Sequence, residues 1–377
     1  MRILEVCLYS AGICGVWTRV FEEAKRFEKK GHKVAVFSSN KTKGSDEEAV
    51  QKEIKEGVLI RRFPSVYMGG ESFMYWNYEE EAIKFKPDVI IVHSYRHLHT
   101  TKAVSIAKKT GAKVFLVTHA PFTSGNESRA LFSKLAVKGY DALIGPRALK
   151  KFDKVVAITK WEVPFLLQLG LSREDIAYIP NGIPENFFTQ SISEGDGQKI
   201  LFLGRISPVK DIETLLKACR KLKQKKVRFK VEIVGPAERD YLAQLTYMVK
   251  RLNIEQEVKF LPPIYNINEK IKKIDSAVIY ALPSKREGMP QSLIEAMARE
   301  RIVVASDNAG ARDLVDSGQN GYLFPIGNAD ALARCFEIAI TKLRQHEKIR
   351  IKARKSVEQF KWSEVMKKWG RLFRERK

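Results

Sequence analysis

The sequence predicts an α/β protein built from two doubly wound domains. Three observations support this prediction. Short apolar runs alternate with helical stretches, the runs are continuously rich in Val, Ile and Leu, and the alternation breaks once before it restarts. Parallel strands that are buried on both faces have such continuous apolar runs. The length of 377 residues agrees with two domains of roughly 150 residues each.

The first half begins with a strand, a glycine-containing turn, a helix and a second strand, which is the unit of a parallel sheet. The apolar run at 3–9 is the first strand, the helix covers 16–30, and the second strand covers 33–37. Further strands are predicted at 58–62, 89–93, 114–118, 155–158 and 176–179.

The alternation breaks after residue 180, where turn residues and then a polar, glycine-containing stretch at 191–197 interrupt it. Strands are then predicted at 200–204, 231–235, 258–261, 277–282, 302–305 and 321–324. We therefore predict one domain over 1–185 and another over 186–359. Open sheets of this kind bind ligands beyond the carboxyl ends of their strands, so a cleft between the domains is the expected site.

The chain is strongly basic, with 67 Lys and Arg against 44 Asp and Glu and a net charge of +23. This excess indicates nucleic acid, an anionic membrane or a phosphorylated substrate as a partner. Nucleic-acid binding is the rival function from another class. It is disfavoured because no helix-turn-helix, zinc-finger or RNA-binding sheet motif is present, and because stacking aromatics do not alternate with the basic residues.

The basic residues cluster in three places. For 217–230 we predict the solvated face of a core helix, and the tail from 342 to 377 is similarly basic. The segment 129–154 mixes basic and apolar residues as an interfacial helix at an anionic membrane does, and the aromatic stretch 73–76 would add to it. A solvated core helix remains the alternative for 129–154.

Two basic residues follow the strand at 200–204. Arg205 offers a planar fork of donors, and Lys210 adds a compact charge near a predicted helix N-terminus, which itself favours anions. This arrangement predicts a diphosphate cradle that needs no metal. The alternative is a solvated loop that happens to carry two ordinary basic residues.

Two carboxylates follow the strand at 277–282. Glu287 lies in the predicted turn, and Glu295 lies in the next helix among apolar residues, where an unpaired charge is costly. Both can accept hydrogen bonds from sugar or ribose hydroxyls, while the turn at Gly288, Met289 and Pro290 and the helix N-terminus hold phosphate. The alternative is a helix-start Glu and a solvent-facing Glu.

Gly12 and Gly15 would let the backbone of the first loop approach a diphosphate closely. No acidic residue follows the second strand to bind a dinucleotide ribose, which argues against NAD. The sequence has no H-E-x-x-H or D-x-D motif, and its four cysteines form no C-x-x-C pair. We therefore expect no metal and no cofactor.

In this order and spacing, the motifs resemble those of the retaining nucleotide-sugar glycosyltransferases of family four (glycosyl transferases group 1), which have the GT-B fold. The resemblance covers nearly the whole chain. It is carried by the opening glycine loop, Arg205 with Lys210, Glu287 with Glu295, and the segments 179–182, 306–310 and 313–324.

The resemblance implies a role for each matching residue. Arg205 and Lys210 would neutralise the diphosphate leaving group, Glu287 would contact the transferred sugar, and Glu295 would contact the ribose. His119, after the strand at 114–118, is similar to the family's active-site histidine near the donor sugar, and Asn181 falls in a donor-side motif. The alternative for His119 is a histidine satisfied within a strand-end loop.

The resemblance further implies two Rossmann-like domains that face each other across a cleft, with a C-terminal helix at 360–377 packed on the first. The expected activity is metal-independent, retaining transfer of a hexose from a UDP- or GDP-sugar to a lipid-linked or membrane-glycan acceptor. A soluble sugar or sugar-phosphate acceptor is the alternative, and a catalytically silent GT-B partner protein is a further rival.

The start of the chain is a poor signal peptide because Glu5 interrupts its short apolar stretch. We therefore expect a cytoplasmic protein, with peripheral contact at the cytoplasmic membrane face through 129–154.

Overall fold

The computed structural model describes residues 1–12, 14–122, 137 and 139–375. The chain forms two compact units: unit 1 comprises Met1–Asn181 with Met366–Lys377, and unit 2 comprises Gly182–Val365. The sequence predicted this boundary near residue 185. It falls earlier because Asn181 is hydrogen-bonded to Arg19 in unit 1, whereas the Ile183 N–H donates to the Phe360 carbonyl in unit 2 at 2.7 Å.

Unit 1 is built around an eight-stranded sheet. Its strands are β1 (Arg2–Val6), β2 (Lys33–Ser39), β3 (Lys52–Lys55), β4 (Val58–Phe63), β7 (Val89–His93), β8 (Lys113–Val117), β9 (Lys154–Ala157) and β10 (Ile176–Tyr178). A separate antiparallel pair consists of β5 (Ser65–Val66) and β6 (Tyr75–Trp76). The described helices of its first segment are α1 (Gly15–Lys29), α2 (Glu79–Phe85), α3 (Leu98–Thr110), α4 (Gly145–Leu149) and α5 (Val163–Gln168).

The strand order of this sheet is β10-β9-β8-β7-β1-β2-β4-β3, and β3 alone runs antiparallel to its neighbour. After β1, the chain builds outward through β2 and then returns to add β7 on the other side of β1. The carboxyl ends of β1 and β7 therefore flank a topological switch point, where open α/β sheets bind ligands.

Unit 2 contains a six-stranded parallel sheet. Its strands are β11 (Asp196–Leu203), β12 (Lys230–Val234), β13 (Val258–Leu261), β14 (Ala277–Leu282), β15 (Ile302–Ser306) and β16 (Tyr322–Phe324), in the order β13-β12-β11-β14-β15-β16. Its helices are α6 (Asn186–Thr189), α7 (Ile212–Gln224), α8 (Arg239–Arg251), α9 (Ile267–Asp275), α10 (Gln291–Ala298), α11 (Ala309–Arg312), α12 (Ala329–Thr341) and α13 (Glu347–Val357). The order of the strands reverses between β11 and β14, which is the switch point of this unit. The predicted α/β class with parallel sheets is confirmed.

The last helix, α14 (Trp362–Arg374), begins in unit 2 and enters unit 1 at Met366. Trp369 is fully buried, and its indole N–H donates to Glu23 Oε1 on α1 at 2.7 Å. Its ring centroid lies 6.2 Å from those of both Phe27 and Phe115. The second segment of unit 1 therefore completes the core that the first segment begins.

Short 3-10 turns complete the described elements, at Glu71–Phe73, Pro208–Lys210, Leu343–His346 and Glu358–Phe360.

The basic stretch 217–230 begins on α7, whose inner face carries the buried Leu215, Leu216 and Leu222. Three of its lysines form ion pairs on the outer side: Lys221 with Asp330, Lys223 with Glu257, and Lys225 with Glu337. This arrangement agrees with the solvated helix face that the sequence predicted.

The sequence predicted an interfacial helix over 129–154. Residues 129–136 and 138 of this segment lie outside the described residues. Of the aromatic stretch at 73–76, Met74 and Trp76 are buried, while Phe73 and Tyr75 are exposed. Among the described residues, no helix has the length and apolar character needed to span a membrane.

Candidate functional site

The predicted donor-binding residues of unit 2 lie at its switch point. Arg205 follows β11, and Glu287 follows β14, the strand hydrogen-bonded beside it. Lys210 ends the 3-10 turn before α7, and its Nζ donates to Glu287 Oε1 at 2.5 Å. The sequence placed these residues far apart along the chain, and the fold joins two of them directly.

Arg205 is exposed, and its guanidinium makes no hydrogen bond or ion pair with any other described residue. The side chains of Lys210 and Glu287 are 20% and 12% exposed. A lysine ammonium has three N–H groups, so Lys210 can keep its bond to Glu287 and still donate to an anion. This end of the sheet therefore carries the cations of Arg205 and Lys210 together with the Glu287 carboxylate.

The loop that carries Glu287 is fixed by its neighbours. An added Cβ on Gly310 would lie 2.6 Å from the Gly288 carbonyl oxygen and 2.7 Å from that of Glu287, so only a glycine fits there. Asn308 caps α11 and donates from Nδ2 to the Ser284 carbonyl at 3.0 Å. These contacts place Glu287 at the end of β14.

Glu295 is 5% exposed and lies on α10. Lys270, on α9, places its Nζ 2.7 Å from Oε1 and 2.6 Å from Oε2 of Glu295. The sequence indicated that an unpaired charge would be costly here, but it did not identify Lys270 as the partner. Gly288 and Met289 lead into Pro290, the N-cap residue of α10, so all three lie between Glu287 and the helix.

In unit 1, His119 lies just beyond the end of β8. It adopts a left-handed backbone conformation with φ of 60°, and so does Ala120 with φ of 52°. Such conformations are strained for residues other than glycine and persist where the surroundings hold them. The buried Glu162 carboxylate does so here, since its Oε1 accepts from the Thr118 hydroxyl at 2.6 Å and from the Ala120 N–H at 2.8 Å.

The Oε2 of Glu162 accepts hydrogen bonds as well, from the N–H groups of Ile158 and Thr159 at 2.9 and 3.0 Å. Burial raises the pKa of Glu162, while its hydrogen bonds lower it. One carboxylate thus joins the ends of β8 and β9 and fixes the loop of His119.

His119 is the outer member of a hydrogen-bonded chain. Its Nε2 lies 2.9 Å from Nδ1 of His93, and Nε2 of His93 lies 2.6 Å from Oε2 of Glu5. His93 and Glu5 are fully buried. Burial lowers the pKa of both imidazoles well below the usual 6.5, which leaves the rings neutral at neutral pH. Burial raises the pKa of Glu5, and the charge of Glu23 raises it further.

A buried ion pair lies beside this chain on α1. Arg19 Nη2 is 2.9 Å from Glu23 Oε1, and Arg19 Nη1 donates to Asn181 Oδ1 at 2.8 Å. Asn181, a predicted donor-binding residue, therefore uses its amide oxygen to hold Arg19.

The two predicted loop glycines differ. Gly12 has φ of 81°, and an added Cβ would lie 2.3 Å from the Lys43 carbonyl oxygen, so the protein's own backbone already requires a glycine here. Gly15 begins α1, and apart from its chain neighbours and the backbone of its own helix, no described atom lies within 4 Å of the Cβ it lacks. Gly15 thus leaves space next to the N-terminus of α1.

Among the described residues, Glu5, Glu23 and His93 place ligand-type atoms within 4.8 Å of one another, close enough to hold a metal ion. The Arg19 guanidinium already pairs with Glu23, and the 2.6 Å bond to Glu5 already engages Nε2 of His93. We therefore interpret the cluster as a buried hydrogen-bonded network.

Two family models together match nearly the whole chain. Residues 184–356 match the family described as glycosyl transferases group 1, and residues 13–187 match Glycosyltransferase Family 4. The chain belongs to the group 1 glycosyltransferases, as the sequence motifs predicted.

Two relatives and one solved structure show the extent of the similarity. An uncharacterised glycosyltransferase of Haemophilus influenzae is 28% identical over 226 residues, which cover 59% of this chain and 61% of that protein. The phosphatidyl-myo-inositol mannosyltransferase of Mycobacterium tuberculosis is 25% identical over an alignment of 390 residues. This alignment covers 99% of this chain and 96% of that protein. The Anabaena protein HepE, solved in complex with UDP, has a TM-score of 0.77 at 18% identity, with 99% of each chain covered.

The chain spans about half to three fifths of the length of the first curated relatives it matches. The similarity to HepE shows the fold and confirms the predicted GT-B class.

The sequence did not identify six residues of these networks, which are Glu5, Arg19, Glu23, His93, Glu162 and Lys270. One signal was available for Glu5 and His93, since each is a polar residue within or at the end of an apolar strand. Nothing local marks Lys270 or Glu162, because their partners are remote in sequence or are backbone groups.

Proposed function

We propose that this protein is a retaining hexosyltransferase. It would move a hexose from a UDP- or GDP-sugar to a lipid-linked or membrane-glycan acceptor, without a metal ion. Arg205 and Lys210 would bind the diphosphate, Glu287 the transferred sugar, Glu295 the ribose, and His119 the donor sugar. Gly12, Gly15, Asn181, Gly288, Met289 and Pro290 would form the surrounding donor site.

The observation that carries the proposal is the direct bond between Lys210 and Glu287 at the switch point of unit 2. The reaction breaks the bond between the anomeric carbon and the diphosphate oxygen, and negative charge grows on that oxygen. Fixed cations next to this oxygen stabilise the transition state more than the ground state. Glu287, held by Lys210, would keep its other oxygen available for a sugar hydroxyl.

Retention follows if the acceptor attacks from the face that the diphosphate leaves. The leaving diphosphate would then remain close enough to the acceptor hydroxyl to take its proton, with Arg205 and Lys210 holding it in place. No step in this route requires a carboxylate nucleophile or a metal. We expect chelation with EDTA to leave the transfer rate unchanged, and a loss that added Mg²⁺ restores would contradict metal independence.

The donor is tested with a thermal-shift panel of UDP, GDP and their sugars on the full chain. A ligand that binds only the folded state raises the melting temperature. HepE was solved in complexes with UDP and with UDP-glucose, so the uridine compounds are the first choice. A panel without any shift would argue for the catalytically silent alternative.

The phosphate role is tested by transfer kinetics of Arg205→Ala and Lys210→Ala. Removal of one transition-state donor is expected to lower kcat by about 10²–10³-fold. Lys230→Ala is the matched control, because Lys230 is an exposed cation that begins β12, at the opposite end of the same sheet. Full transfer by either of the first two variants would refute the assignment.

The acceptor class rests on the net charge of +23 and on the phospholipid-modifying relative, whose name states a phosphatidyl-inositol acceptor. We expect the protein to float with vesicles that contain phosphatidylglycerol and to remain behind with neutral vesicles. If the protein transferred the hexose to soluble sugars or sugar phosphates without vesicles as fast as to a membrane acceptor, the soluble-acceptor alternative would be favoured.

A further inference from the structure

Two consecutive hydrogen bonds connect the buried Glu5 through His93 to His119. A neutral imidazole has one N–H and one lone pair, and His93 uses both nitrogens in hydrogen bonds. One of these bonds must therefore be donated and the other accepted. The proton on Glu5 or its absence thus determines which ring nitrogen of His119 carries hydrogen.

Two proton arrangements satisfy the chain. If Glu5 is protonated, it donates to Nε2 of His93, which then donates from Nδ1 to Nε2 of His119, leaving N–H on Nδ1 of His119. If Glu5 is ionised, every bond reverses and His119 Nδ1 becomes an acceptor. Among the described residues, no hydrogen bond engages Nδ1 of His119. This nitrogen can therefore donate to a ligand or accept from one, depending on the tautomer.

The charges around the chain distinguish the two arrangements. Arg19 and Glu23, both from α1, form a pair that is already neutral. An ionised Glu5 would add a second, unbalanced carboxylate to a site that water does not reach. Among the described residues, the other titratable groups that act on the chain are Cys7 near Glu5, and His97 and His99 near the two imidazoles. None of these three adds a cation to the buried cluster.

We propose that Glu5 and His93 are positioning residues that fix the tautomer of His119. Glu5 donates to His93, His93 donates to His119, and His119 consequently presents an N–H at Nδ1. This inference rests on the proposed function only for its kinetic consequence. In that setting, Nδ1 donates to an oxygen of the donor sugar, and the buried chain prevents the ring from offering a lone pair instead.

The direct test is the tautomer itself, observed by two-bond proton–nitrogen NMR of the full chain with ¹⁵N-labelled histidine. The protein has six histidines, and the His119→Gln variant identifies the His119 signal. We expect a protonated Nδ1 and an unprotonated Nε2 on both His93 and His119 at neutral pH. A proton on Nε2 of either ring would overturn the proposal, and this measurement needs no variant to fold beyond the one used for assignment.

Two substitutions of Glu5 separate positioning from packing. Glu5→Gln retains a donor of the same shape, so it should keep both the tautomer and the transfer rate. Glu5→Leu fills the space without a donor, so His119 should become a mixture of tautomers and kcat/KM should fall about tenfold, the kinetic equivalent of one hydrogen bond. A single Nδ1–H tautomer in Glu5→Leu would refute the inference.

The matched control is His346→Leu, which removes a buried histidine that bonds the Tyr322 hydroxyl and the Lys342 carbonyl in unit 2. It should leave the His119 signal unchanged. The transfer assay tests the proposed function, and the NMR measurement tests the tautomer independently of it. A wild-type protein that transfers no sugar would refute that function, while the NMR signals would still decide the tautomer.

Discussion

The loop that carries Glu287 depends on the absence of a single methyl group, and this gives a sharp prediction. Gly310→Ala would place a Cβ 2.6 and 2.7 Å from two backbone oxygens and 2.9 Å from the Glu287 carbonyl carbon. Backbone atoms cannot rotate aside, so the loop itself must move. Overpacking of this kind costs about 1–3 kcal/mol.

For a unit of this size, that cost corresponds to a melting temperature lower by roughly 2–12 °C. Because Glu287 moves with the loop and its bond to Lys210 is disturbed, the Kd for UDP should rise about tenfold, the effect of one lost hydrogen bond. Differential scanning calorimetry measures the first quantity and isothermal titration the second.

Gly370→Ala is the control for the general effect of replacing glycine. Gly370 lies within α14, and apart from its chain neighbours and the backbone of its own helix, no described atom is within 4 Å of an added Cβ. Alanine should stabilise this helical position by about 0.5–1 kcal/mol. If Gly310→Ala matched the wild type in both melting temperature and UDP affinity, the packing account of this loop would be wrong.

Three further predictions concern buried groups of unit 1. Trp369→Phe removes the donor to Glu23 and should lower the free energy of unfolding by about 1–3 kcal/mol in urea, whereas an unchanged midpoint would contradict the role of α14 in the core. Glu162→Gln replaces an acceptor with an amide that faces N–H donors, and a similar loss of about 1–3 kcal/mol is expected; equal stability would show that the His119 loop does not depend on this carboxylate. Burial lowers the pKa of His99 to about 3, so between about pH 6.5 and 3 the unfolded chain binds a proton that the folded one does not. The free energy of unfolding should therefore fall with falling pH by up to about 1.4 kcal/mol per unit, and His99→Gln should reduce that slope, while parallel pH profiles would refute it.

Most strands could be predicted because a strand that is buried on both faces has a continuous run of apolar residues. The predicted 89–93 and 277–282 match β7 and β14 as observed. The short elements β3, β5 and β6 were not predicted. Each has four residues or fewer, and β3, with the sequence KEIK, is mostly exposed at a sheet edge, so no apolar run marks it.

The candidate site was predictable where residue type and local context coincide. Basic residues after one strand and a glutamate after another indicated a shared site, because the ends of parallel strands meet at one edge of a sheet. The partners of those residues depend on strand order, which the sequence does not state. Lys270 could be identified only from the fold, which brings it to Glu295, and the fold likewise shows that His93 bonds Glu5.

The divided course of unit 1 has a consequence for how the chain acquires its structure. During synthesis, the Met1–Asn181 segment emerges before unit 2 and therefore before Trp369, which completes its core against Phe27 and Phe115. Unit 2 is continuous in sequence and can complete its own sheet as soon as it has left the ribosome. The Met1–Asn181 segment therefore remains incompletely packed until Trp369 has been made. Removal of only the C-terminal segment should leave unit 2 folded and expose apolar surface on α1 and β8.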